Sequence, residues 1–96
     1  MITIEGKWYD GKTSAAEDVV CIVYDNGALR IERINDGGLI LTRPRFDIEI
    51  SPRLANTRRY LLFPKGEKFE TADNDSVDRV ETRFAGATWR KVVHKL

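Results

Sequence analysis

The sequence predicts a mainly β, α+β domain in which six or seven antiparallel strands are followed by a C-terminal helix. Three observations predict it. Short runs of alternating apolar and polar residues extend from Ile2 to Thr71. Turn signals (Asp10-Gly11, Asn26-Gly27, Gly37-Gly38 and Pro64-Lys65-Gly66) separate those runs. After Asp73 the spacing of apolar residues changes from every second position to every third or fourth, the signature of a helix rather than a strand. Strands first and a helix last is a segregated arrangement.

Taken in order, Ile2 to Tyr9 alternates, with Ile2, Ile4, Gly6 and Trp8 on one face and Thr3, Glu5, Lys7 and Tyr9 on the other, as a half-buried strand requires. Asp10 to Ser14 is a turn. Val19 to Asp25 is a β-branched strand around Cys21, and Asn26-Gly27 joins it to a return strand, Ala28 to Ile34, as a hairpin. Asn35 to Gly38 is the next turn, and Leu39 to Arg43 is a strand limited by Pro44. Phe46, Ile48 and Ile50 mark a strand that Ser51-Pro52 stops. Arg53 to Thr57 is a loop, and Arg58 to Phe63 is a strand with Tyr60 and Leu62 on one face and Arg59, Leu61 and Phe63 on the other. Pro64 to Glu67 turns into a short strand, Lys68 to Thr71.

Asp73, Asn74 or Asp75 can cap the helix that follows, since a side-chain oxygen there accepts from free backbone amides and suits the positive helix end. Val77, Val80 and Phe84 form its apolar stripe, and Gly86 stops it. Thr88 starts a second short helix carrying Trp89, Val92, Val93 and Leu96. The strands occupy residues 1–71 and the helical segment 73–96. A twisted sheet that curls into a small barrel and is closed by a C-terminal helix is the pleckstrin-homology-like arrangement; a flat sheet with helices on one face is its rival. The expected core is Trp8, Ile22, Leu29, Ile31, Ile48, Ile50, Leu62, Phe69, Val77, Val80 and Phe84.

Ninety-six residues make one domain. Sixteen basic and 15 acidic side chains leave a net charge of +1, which supplies no overall field for nucleic acid or an anionic membrane. No nucleic-acid partner is expected, and any basic site is local. One cysteine allows no intrachain disulfide and suits a reducing compartment. The N-terminus lacks the basic and apolar segments of a signal peptide, and no apolar run approaches membrane-spanning length. The expected location is cytoplasmic, with a partner able to bring the domain to the inner face of the membrane.

Catalytic chemistry finds little material here. A single histidine, His94, and a single cysteine, Cys21 within a β-branched strand, do not make a zinc site or a nucleophile–base pair. No metal, cofactor or enzyme activity is expected. Asp73, Asp75 and Asp78 fit helix capping better than acid–base or calcium chemistry. Arg43, Arg45, Arg53, Arg58 and Arg59 gather near Tyr60 and could hold phosphate groups, although Asp47 and Glu49 lie among them and could neutralise them. The preferred contact region is the Pro52–Arg59 loop, with Arg53, Asn56 and Arg58 as binding residues. Arg58 is preferred to Arg59 because Arg59 shares its face with Leu61 and Phe63.

Four segments also carry a family resemblance: Gly6 to Ser14, Ile50 to Thr57, Lys68 to Asp75, and Trp89 with Val93 to Leu96. Ser-Pro-Arg-Leu-x-Asn-Thr and Phe-Glu-Thr-x-Asp-Asn-Asp are the most specific parts. Together they resemble the N-terminal accessory domain of bacterial HtpX-like membrane zinc metallopeptidases. That family continues into a membrane helix and a His-Glu-x-x-His zinc helix, neither of which is in this sequence, so proteolysis, zinc and membrane insertion do not carry over. The resemblance implies a non-enzymatic interaction module with a protein or membrane-associated partner. The alternative is a domain that binds a small ligand or an anionic lipid headgroup.

Overall fold

A computed structural model describes residues 1–84. Seven strands and one helix follow in chain order: β1 (Ile2–Tyr9), β2 (Glu17–Val23), β3 (Leu29–Arg33), β4 (Leu39–Arg43), β5 (Glu49–Ile50), β6 (Arg59–Leu62), β7 (Lys68–Thr71) and α1 (Asn74–Phe84). All strand pairs are antiparallel, in the order β4-β3-β2-β1-β7-β6-β5. Two meanders, β1 to β4 and β5 to β7, thus share β1 as their seam, and the sheet curls into a half-barrel with α1 following its last strand. The predicted second helix from Thr88, with Trp89 and His94, lies outside the described residues.

Strand registers select the inward face. Ile2 lies opposite Val23, which lies opposite Leu29; Ile4 lies opposite Cys21, which lies opposite Ile31. Across the seam, Trp8 lies opposite Phe69, and Phe69 opposite Leu61. Directly opposed residues share a face of the sheet, so these rows make one continuous apolar surface, and every member is buried. Val77 and Val80 of α1 complete the core. Trp8 and Phe63 meet edge to face, centroids 5.0 Å apart, while Phe46 stacks on Phe84 at 5.8 Å, both within the range of favourable aromatic pairs.

Gly6 makes the seam possible. It faces inward between Ile4 and Trp8, where a Cβ would stand 2.2 Å from the Glu70 carbonyl oxygen and 2.8 Å from the Phe69 ring. Only a residue without a side chain lets β1 lie this close to β7. Thr71 strengthens the junction by donating its hydroxyl to the Glu5 carbonyl at 2.8 Å.

Several expectations require correction. Leu62 is 39% exposed, whereas Leu61 and Phe63 are buried. The strand's inward face also carries Arg59, whose charge disguised it. Ile22 is only half-buried. Its strand is apolar on both faces, and pairing with β1 turns Val19, Cys21 and Val23 inward instead. Phe84 too is only half-buried. The strand expected from Phe46 shrinks to Glu49–Ile50. β2 gains Glu17 and Asp18 and ends at Val23.

At the Asn26-Gly27 hairpin the Gly27 amide donates to Tyr24 O and the Tyr24 amide to Ala28 O, with Gly27 at φ +90°. This is a three-residue loop with glycine in the left-handed position. The Phe63–Glu67 turn repeats the pattern with Gly66.

Candidate functional site

The loop between β5 and β6 is well built. Ser51 closes the ladder: its amide donates to Tyr60 O, and its hydroxyl accepts from the Tyr60 amide. A tight turn follows, in which Leu54 O accepts from both the amide and the hydroxyl of Thr57, at 2.9 and 2.7 Å. Asn56 sits exposed in this turn, and Leu54 is 59% exposed.

The loop's arginines diverge. Arg53 reaches towards α1 and pairs with Asp75 at 3.2 Å and with Asp78. Arg58 lies on the opposite, outer face of the sheet, where its Nε stands 3.1 Å from Glu70 Oε2. The structure therefore places the predicted residues Arg53, Asn56 and Arg58 in one loop but does not gather their side chains around one point. Of the nearby carboxylates, Asp47 pairs with Arg43, four residues away, rather than with the loop.

Arg59 is the residue that sequence reasoning set aside. It is fully buried, yet its guanidinium is well partnered: Nε donates to Ser51 O at 2.9 Å, Nη1 to Asp78 at 2.7 Å, and Nη2 to Glu81 at 3.3 Å. A buried cation is tolerated only with such partners. Arg53, Arg59, Asp75, Asp78 and Glu81 consequently form an ionic clasp that fixes the loop to α1. Hydrogen bonds from Arg59, then Arg53, hold the Asp78 carboxyl below its ordinary pKa. Asp73 caps the helix, accepting from the Ser76 amide at 3.1 Å, whereas Asp78 serves the clasp and not the cap.

On the outer face, Tyr9 donates its hydroxyl to Glu70 at 2.9 Å, and that bond pushes the phenol pKa up. The Lys68 ammonium lies between the Tyr9 and Tyr60 rings, 5.2 and 5.3 Å from their centroids, within cation–π range. These side chains come from β1, β6 and β7, whose shared register puts Tyr9 opposite Lys68. Alternation in the sequence placed Tyr9 on the polar face of its strand, but with Leu62 expected in the core it turned the face of Tyr60 inward, and it could not show that both tyrosines flank β7 on its outer side.

Among the described residues, no group of three or more His, Cys, Asp or Glu side chains is arranged to hold a metal ion. Cys21 is buried in β2, and burial pushes its thiol up to about 12. No described helix is long and apolar enough to cross a membrane.

A family model described as a domain of unknown function, DUF7092, matches residues 3–84. The chain belongs to the DUF7092 family. The match runs from the second residue of β1 to the last residue of α1, so the DUF7092 unit is the half-barrel together with its clasped helix. No curated protein and no solved structure matches the chain.

Proposed function

We propose that this DUF7092 domain is a non-enzymatic interaction module whose docking surface is the outer edge of β4. The observation that carries this reading is an open, apolar edge on a filled scaffold. β4 pairs only with β3 among the described strands, and its sequence is Leu-Ile-Leu-Thr-Arg. Leu39 is 49% exposed, as is Ile34 at the turn leading into the strand. An edge strand presents unpaired backbone donors and acceptors, which an extended segment of another protein can match. The opposite edge, β5, has only two residues before Pro52. The interior is filled by side chains of both meanders and α1, which favours a surface contact over a ligand enclosed in the sheet.

The partner proposed is an HtpX-like membrane zinc metallopeptidase, on the sequence resemblance of the Ile50–Thr57 and Lys68–Asp75 segments. Those segments form the clasped loop, β7 and the start of α1, elements that stabilise the module and leave β4 open. Two meanders joined through β1 and β7, with a helix after β7, also support a pleckstrin-homology-like arrangement. The reading implies a cytoplasmic module held at the inner face of the membrane by its partner.

The test is association of the isotopically labelled domain with a detergent-solubilised protease of that type from the same genome, followed by amide shifts. Shifts along Leu39–Arg43 that disappear in Leu39→Lys support the reading. Absence of association, or association untouched by Leu39→Lys, contradicts it.

A further inference from the structure

A second surface, adjoining β4 through Lys12 but different in chemistry from its apolar edge, has the features of an anion site. A groove of about 510 Å3 lies between the β1–β2 turn and the β6–β7 turn, lined by Tyr9, Gly11, Lys12, Thr13, Ser14, Gly66 and Lys68. Lys12, Lys68, Thr13 and Ser14 line it beside Tyr9, whose hydroxyl is given to Glu70, and no carboxylate lines it. Four other grooves among the described residues each include at least one carboxylate. Its volume lies within the range of sites for small ligands.

The cations differ from most others in the domain. Lys7 and the arginines at 30, 33, 43, 53, 58, 59 and 83 each stand within ion-pair distance of a carboxylate. Lys12 and Lys68 have no such partner among the described residues. Lys68 is held instead by the two tyrosine rings, which leave its N–H donors unclaimed by any acid. The nearest acid of the turn, Asp10, is occupied, since its Oδ1 accepts from the Lys12 and Thr13 amides at 2.8 and 3.0 Å. That bonding also sets the turn. Thr13 Oγ1 accepts from the Ala15 amide at 3.3 Å, and its own proton remains to be donated.

The two turns touch. A Cβ on Gly11, at φ +81°, would stand 2.8 Å from Gly66 O, so the pair of glycines forms a bare floor. Lysine ammonium groups with hydroxyl donors over exposed backbone suit a compact, doubly charged anion.

We propose that this groove binds a phosphomonoester group, with Lys12 and Lys68 supplying charge and Thr13 and Ser14 donating hydrogen bonds. The site uses none of the residues of the β4 edge, so either proposal can fail without the other. The shared chemistry is the phosphomonoester, carried by a soluble metabolite or by a lipid.

The labelled domain is titrated at low salt with glycerol 3-phosphate, and separately with phosphatidylcholine vesicles containing phosphatidic acid or, as the control, phosphatidylserine. Amide shifts are expected at Gly11–Ser14 and Gly66–Lys68, weakening as salt rises. Lys12→Gln and Lys68→Gln should each reduce affinity about fivefold, with the rest of the amide spectrum preserved, and Arg53→Gln should leave it unchanged. Response to glycerol 3-phosphate assigns a soluble ligand; response only to phosphatidic acid vesicles assigns a lipid. No shift in these turns with either probe overturns the proposal. So does equal binding to phosphatidylserine, or binding that neither lysine substitution weakens.

Discussion

Substitution of Gly6 by alanine should destabilise the domain sharply, because one methyl group would have to occupy the seam between the two meanders. The added Cβ would lie 2.2 Å from Glu70 O and 2.8 Å from two carbons of the Phe69 ring. Neither neighbour can yield cheaply. The Glu70 backbone is paired on both sides, with Lys7 and with Tyr60, and Phe69 is fully buried. Overpacking a well-filled core costs about 1–3 kcal/mol, and two immovable neighbours put Gly6→Ala at about 3 kcal/mol or above.

For a domain with stability on the order of 5–10 kcal/mol, that loss lowers the urea midpoint by roughly 2 M. Gly37→Ala is the reference: Gly37 has φ +69° but nothing within 4 Å of a Cβ, so only the left-handed backbone cost of about 1–2 kcal/mol applies. Adding Phe69→Leu to Gly6→Ala should recover little, since the carbonyl contact persists. Equilibrium urea unfolding followed by far-UV circular dichroism measures all three. A loss below about 1 kcal/mol for Gly6→Ala would refute the close approach of β1 to β7.

Three other outcomes are expected. Arg59→Ala should cost about 3 kcal/mol in urea unfolding, the lower end for breaking a buried ion pair because Asp78 and Glu81 reach water; Arg59→Met, which restores the apolar stem, should cost less. Asp78, Asp47 and Asp25 have carboxyls lowered by their cationic partners, so the unfolded chain binds more protons near pH 4. Their stabilisation is complete above the ordinary carboxylate range and is lost as pH falls through the lowered native values; Asp78→Asn should flatten that fall in a series of thermal melts. Cys21, with its thiol pushed up to about 12 and its side chain buried, should react with a disulfide reagent at pH 8 only as fast as the domain opens, and a fast reaction in native buffer would contradict its placement.

Local pattern made most of the strands legible. The predicted bounds of β1, β4 and β7 coincide with those observed, because each has a turn residue immediately outside an unambiguous run. The helix was legible from its cap and stripe, and Val77 and Val80 are buried as expected.

What could not be read depends on distant partners. Tyr60 and Leu62 compete with Leu61 and Phe63 for the core, and the decision rests on pairing with β7, where Leu61 meets Phe69. Arg59 counted against its own face until α1 supplied Asp78 and Glu81, residues 19 and 22 positions away. The candidate loop was likewise found as a segment but not as a geometry. Arg53 and Arg58 are five positions apart, yet a turn and the start of a strand send them to opposite sides of the sheet. The meeting of the β1–β2 and β6–β7 turns left no mark in either segment beyond a glycine in each.

The seam between the meanders is tested most directly by nuclear Overhauser contacts across β1 and β7 together with amide exchange in β4. This seam requires backbone contacts between Lys7 and Glu70, Trp8 and Phe69, and Tyr9 and Lys68, none between β4 and β5, and protected amides in β1 beside fast-exchanging outward amides in β4. Backbone contacts joining β4 to β5, or a β1 with no contacts to β7, would contradict it.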